Sequence, residues 1–93
     1  EAKKYITNAV NGIEEHQEEI LKDIEKNLKE EWKLSRISKM DLTILKLAIY
    51  EIKFTDVPYK VSINEAVELA KKYGEDKSKN FVNGILASVV KEM

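Results

Sequence analysis

The chain has 93 residues, enough for one small domain, and its 43% hydrophobic and 35% charged residues place it with folded rather than disordered sequences. Sixteen basic and seventeen acidic side chains leave a net charge of −1, which excludes a wholesale polybasic arm. No cysteine is present, so disulfides and thiolate metal sites are ruled out, and no apolar run reaches the roughly 18 residues that cross a membrane. The opening residue is Glu1 rather than methionine, so we expect a fragment whose upstream elements are out of view. A reducing cytoplasm is the expected location.

Only three glycines (Gly12, Gly74 and Gly84) and one proline (Pro58) interrupt the chain, which favours long helices over short strands. Ile6, Val10, Ile13, Ile20, Ile24 and Leu28 recur at helical spacing and predict one amphipathic helix over residues 2–28. Its far side, from Glu14 to Glu31, holds eight acids against three bases and reads as a solvated acidic face. His16, the single histidine, falls on that polar side and is expected to be an ordinary surface residue. Gly12 suits close contact with another helix. Residues 29–38 form a connector whose Trp32, Leu34 and Ile37 should fold back onto the bundle.

Ser38 stands three residues before Asp41, the spacing of a helix N-terminal cap. The next helix, residues 40–54, is apolar on most sides through Leu42, Ile44, Leu45, Leu47, Ala48, Ile49 and Ile52, and belongs at the centre. Pro58 ends that run, because the residue before a proline is pushed out of helical geometry. Ser62 to Glu65 reads as a second capping box, opening a helix with Ile63, Ala66, Val67, Leu69 and Ala70. Gly74 is expected as its left-handed C-cap. Ser78 is expected to cap a last helix carrying Phe81, Val82, Ile85, Leu86, Val89 and Val90, in which Gly84 would admit a close neighbour. Four helices with short connections give an all-α bundle, one domain over residues 1–93.

No enzymatic constellation stands out. A lone histidine, no cysteine and isolated glycines leave no recognisable catalytic triad, phosphate loop, cofactor site or zinc site. Basic charge is unevenly spread: residues 33–60 hold six bases against three acids, and residues 71–80 hold four against two. Tyr73 and Phe81 flank Lys71, Lys72, Lys77 and Lys79. Lysines interleaved with aromatic rings suit single-stranded RNA, where cations hold phosphates and rings stack on unpaired bases. The alternative, which periodicity alone favours, is that both rings anchor a helical hairpin.

Four ordered blocks carry a more specific signal. They are Leu45-Lys46-Leu47-Ala48-Ile49-Tyr50-Glu51, Val57-Pro58-Tyr59-Lys60-Val61-Ser62-Ile63-Asn64-Glu65-Ala66, Glu68-Leu69-Ala70-Lys71 and Lys79-Asn80-Phe81-Val82-Asn83-Gly84-Ile85-Leu86. Together they span about half the chain, and the sequence resembles the NusB family of transcription antitermination factors. The resemblance implies an all-α, NusB-like helical bundle, here without its N-terminal helices. It implies no enzyme, but binding of boxA-type single-stranded RNA from ribosomal RNA leaders. The implied protein partner is the ribosomal protein NusE, within an RNA polymerase antitermination complex that suppresses premature termination. On this resemblance Tyr73 and Phe81 match aromatics that meet RNA, Lys46 matches a basic position on the central helix, and Lys79 and Asn80 lie beside Phe81. The acids facing NusE would fall at Asp41, Glu75 and Asp76, with Lys77 where the family usually has an acid. The family's arginine-rich opening helix has no counterpart, Arg36 being the sole arginine, so weakened RNA affinity is implied. The alternatives are the RNA-recognition domain of an rRNA methyltransferase, a pure protein-interaction bundle, or a homodimer.

Overall fold

A computed structural model describes residues 11–28 and 37–93, and in these the regular elements are helices: α1 (Gln17–Lys26), α2 (Lys39–Phe54), α3 (Tyr59–Tyr73) and α4 (Ser78–Glu92). Residues 11–15 are helical as well, joined to α1 through a turn at His16. The hydrogen bonds from His16 N to Gly12 O and from Ile20 N to His16 O, both 3.0 Å, carry the helical course across that turn. The expected long amphipathic helix is therefore present over its described part, and Ile6 and Val10 lie outside the described residues. So do Trp32, Leu34 and Arg36 of the connector, whereas Ile37 packs against the core.

α1 buries Ile20 and Ile24, which stand one turn apart, and leaves Gln17, Glu18, Glu19, Lys22, Glu25 and Lys26 in solvent. α2 begins as expected, with the Ser38 hydroxyl accepting the Asp41 N–H at 3.1 Å. It buries Ile44, Leu45, Ala48, Ile49 and Ile52, the most apolar residues buried by any described helix, and touches each of the other three, as α4 also does. Removing a Leu or Ile side chain of this kind from water is worth about 1.5–3 kcal/mol, so this buried row contributes much of the cohesion. At its end the Thr55 hydroxyl donates to the Glu51 carbonyl and accepts the Val57 N–H, turning the chain toward Pro58.

Three expectations are corrected. α3 starts at Tyr59, one turn before the expected box, because Pro58 already has the extended cap geometry and its carbonyl accepts Val61 N–H and Ser62 N–H. Ser62 is consequently an interior residue, aligned with Ala66 and Ala70 on the buried face of α3. Gly74 is not left-handed: its φ of −93° is open to any residue. What requires glycine there is space, since an added Cβ would lie 2.6 Å from the Ser78 Cβ and 2.8 Å from the Ala70 carbonyl oxygen. Gly84 admits no close neighbour, as an added Cβ would meet nothing within 4 Å. Close approach occurs instead at Gly12, where a Cβ would overlap the Tyr50 ring.

α1 is held to α2 by more than apolar contact. Lys53 donates to the Asp23 carboxylate at 2.7 Å and to that of Glu19 at 3.5 Å, and the Asp23 hydrogen bond holds its ammonium pKa above the ordinary value of 10.5. His16 stacks on Phe54 with ring centroids 3.8 Å apart and planes 9° from parallel, so it is an interhelical contact rather than a plain surface residue. No helix among the described residues is long and apolar enough to cross a membrane.

Candidate nucleic-acid interface

The α3–α4 connection is only residues 74–77, which brings the C-terminal end of α3 and the first turn of α4 to one end of the bundle. Tyr73, Glu75, Asp76, Lys77, Lys79, Asn80 and Phe81 gather there. Tyr73, the last residue of α3, is 56% exposed, and the Lys72 ammonium lies 5.3 Å from its ring centroid. Lys77, Lys79 and Asn80 are exposed. Phe81 is half-buried and packs partly against the core.

The lysines differ in what already satisfies them. Lys71 pairs with Glu68 at 3.3 Å, Lys26 with Glu92 at 3.2 Å, and Lys53 is committed to α1. Lys72, Lys77 and Lys79 make no ion pair among the described residues. Solvated ammonium groups next to exposed rings can meet phosphates without first giving up a protein partner. Glu75 and Asp76 are exposed in the same loop and interrupt the positive surface, which therefore consists of two short strips on either side of the loop.

Asp41 sits differently from the other acids. It is 9% exposed, one carboxylate oxygen accepts the Ser78 hydroxyl at 3.0 Å, and the other has no hydrogen-bond partner among the described residues. It lies at the base of the loop, with little of its surface open to solvent. Lys46 is half-buried, about 7.5 Å along the α2 axis from Asp41. It lies on the helix row of Leu42, Tyr50 and Lys53, whose last two members meet Gly12 and Asp23, and it makes no hydrogen bond or ion pair with the loop cluster. The structure thus unites Tyr73 with Lys79, Asn80 and Phe81 and leaves Lys46 on the flank toward α1. Two roles were not read from sequence. Lys72, noted only among the flanked lysines, lies over the Tyr73 ring. Ser78, expected as the cap of α4, is instead its first helical residue behind Lys77 and bonds Asp41 across 37 residues of chain.

The NusB family model matches residues 1–91 of this chain. The chain belongs to the NusB family. Among its relatives, the transcription antitermination protein NusB of Clostridium novyi (strain NT) is 57% identical over 88 residues, covering 94% of this chain and 65% of the relative. The NusB of Clostridium botulinum (strain Kyoto / Type A2) is 53% identical over 87 residues, covering 92% and 60% respectively. A solved structure of T. maritima NusB superposes with a TM-score of 0.91 at 43% identity, over 98% of this chain and 64% of that one. The all-α NusB fold expected from the sequence is therefore the observed one. This NusB-family chain spans slightly under two thirds of the length of these relatives.

Proposed function

We propose that this NusB-family chain acts in transcription antitermination by binding boxA-type single-stranded RNA, with the α3–α4 end of the bundle as its contribution to the RNA surface. The observation that carries this reading is the exposed Tyr73 ring and the half-buried Phe81 ring set among three lysines, Lys72, Lys77 and Lys79, that form no ion pair among the described residues. Rings offer stacking faces to unpaired bases and lysines hold the backbone between them. Asn80 adds an amide with both donors and an acceptor for a base edge. Lys46, on the flank toward α1, is a separate RNA contact. The relatives named above are antitermination proteins, and we take this chain, like them, to act by binding rather than by catalysis, in the cytoplasm. The protein partner is NusE, received by the loop bearing Glu75, Asp76 and Lys77, within the RNA polymerase antitermination complex.

The test pairs binding with stability. Titration against boxA-type and scrambled RNA at two salt concentrations should show Phe81→Ala weakening the specific complex about ten- to hundredfold, since one stacked base is worth about 1–3 kcal/mol. Lys79→Ala should lower affinity for both RNAs and reduce the salt dependence by about one phosphate contact. Urea unfolding separates the two roles of Phe81, because an effect on binding alone leaves the midpoint in place. If Phe81→Ala acts only through unfolding and Lys79→Ala leaves affinity and salt slope untouched, this surface does not bind RNA.

A further inference from the structure

A chain of hydrogen bonds runs beneath the loop of residues 74–77. The Ser38 hydroxyl accepts the Asp41 N–H at 3.1 Å, fixing the first turn of α2. The Asp41 carboxylate accepts the Ser78 hydroxyl at 3.0 Å, and that same hydroxyl oxygen accepts the Glu75 N–H at 3.0 Å. Ser78 thereby bridges the two, its single proton toward α2 and a lone pair toward the loop. Asp41 and Ser78 are both buried, at 9% and 4% exposure, so water does not readily replace these bonds. Gly74 presses against the Ser78 side chain, leaving no room for a Cβ, which seats the loop on the hydroxyl. The carboxylate also lies at the N-terminus of α4, where unpaired backbone N–H groups favour negative charge.

We propose that Asp41 and Ser78 are positioning residues that latch the α3–α4 loop to the start of α2, holding Tyr73 on one side of the loop and Lys79 and Phe81 on the other in the arrangement that receives RNA. This role rests on the RNA reading given above. It assigns Asp41 a hydrogen-bonding task under the surface rather than a charge contact with a basic protein. The latch matters because the two aromatic rings stand on different helices. Packing of α3 against α4 sets the two helices, and the short loop with this bond fixes the turn between the rings. A loop that samples other placements binds with an affinity reduced by the fraction of time it is competent, so a tenth occupancy weakens binding about tenfold.

The experiment uses the whole chain, boxA-type RNA, and amide hydrogen exchange read at Glu75. Asp41→Ala and Ser78→Ala should each raise Glu75 exchange and each weaken RNA binding about tenfold, and the double variant should bind no worse than the weaker single one, because both remove the same bond. Asp41→Asn keeps an acceptor oxygen for Ser78 while losing the charge, so it should retain near-parental exchange and RNA affinity. Loss of RNA binding by Asp41→Asn with unchanged Glu75 exchange would show that the charge itself is used, and would overturn the latch. Additive losses in the double variant, or parental exchange in both alanine variants, would overturn it too. Urea midpoints distinguish general unfolding, which raises exchange throughout α2 and α4, from release of the loop alone; the former outcome also counts against the latch. If the parent fails to bind boxA-type RNA, the RNA reading falls and the positioning role falls with it, whereas parental binding with any of the other adverse results removes the latch alone.

Discussion

Gly84→Ala should stabilise this protein, and Gly74→Ala should destabilise it, although both glycines have ordinary backbone geometry with no positive φ. Gly84 lies inside α4, exposed, with nothing within 4 Å of an added Cβ. A methyl group there meets no clash, and replacing glycine by alanine within an exposed helix interior is worth about 0.8–1 kcal/mol. For a chain of this size that corresponds to a rise in Tm of roughly 4–8 °C. Gly74 gains a similar reduction of unfolded-state freedom, about 0.4–1 kcal/mol. Against it stands a Cβ placed 2.6 Å from the Ser78 Cβ, 2.7 Å from its Oγ and 2.8 Å from a backbone carbonyl. Relieving that overlap means moving the first turn of α4, at about 1–3 kcal/mol, so the balance is a net loss of about 1–2 kcal/mol. Thermal and urea unfolding followed by circular dichroism measure both variants, with sedimentation to establish the association state. A destabilised Gly84→Ala would mean that the outer face of α4 is covered in solution, and the reasoning from its open surroundings would be refuted.

Ser62→Ala should raise the urea midpoint, because Ser62 is 1% exposed, its hydroxyl has no hydrogen-bond partner among the described residues, and its removal recovers a desolvation cost of about 1 kcal/mol or more; a lowered midpoint would reveal a partner for that hydroxyl. Lys53→Met should lose about 1 kcal/mol near neutral pH through the bonds to Asp23 and Glu19. The Lys53 pKa is raised in the folded state, so its contribution is complete below the ordinary 10.5 and fades as pH rises through the elevated folded value. The difference between parent and Lys53→Met should therefore be flat from pH 7 to 9 and shrink in more alkaline solution; a gap that widens with pH would contradict the assignment.

The helical architecture was legible because it rests on local periodicity. Spacing of Ile20 and Ile24, the dense apolar run through Ile44, Leu45, Ala48, Ile49 and Ile52, and the stripe Val82, Ile85, Leu86 and Val89 each identified a buried face, and the cap at Ser38 followed from a three-residue spacing. The four blocks from Leu45 to Leu86 were enough to point to the NusB family. The start of α3 was misjudged because a serine three residues before a glutamate is equally compatible with a helix interior, and Pro58 supplied the earlier start.

What sequence could not decide was every property that depends on a partner distant along the chain. Glycine in a helix signals close packing or an open face with the same letter, and only the neighbouring helix tells Gly12, which meets Tyr50, from Gly84, which meets nothing. A histidine on a polar stripe becomes an interhelical stack only when Phe54 comes beneath it. The same holds at the candidate interface. Residue type and family resemblance marked Tyr73, Lys79, Asn80 and Phe81, and the short connection alone ensured that they would be neighbours. That Asp41 turns inward to Ser78 while Lys46 stays on the flank toward α1 was set by how α2 packs against α1 and α4, because side-chain direction in a bundle is fixed by interhelical contact and not by position in the chain.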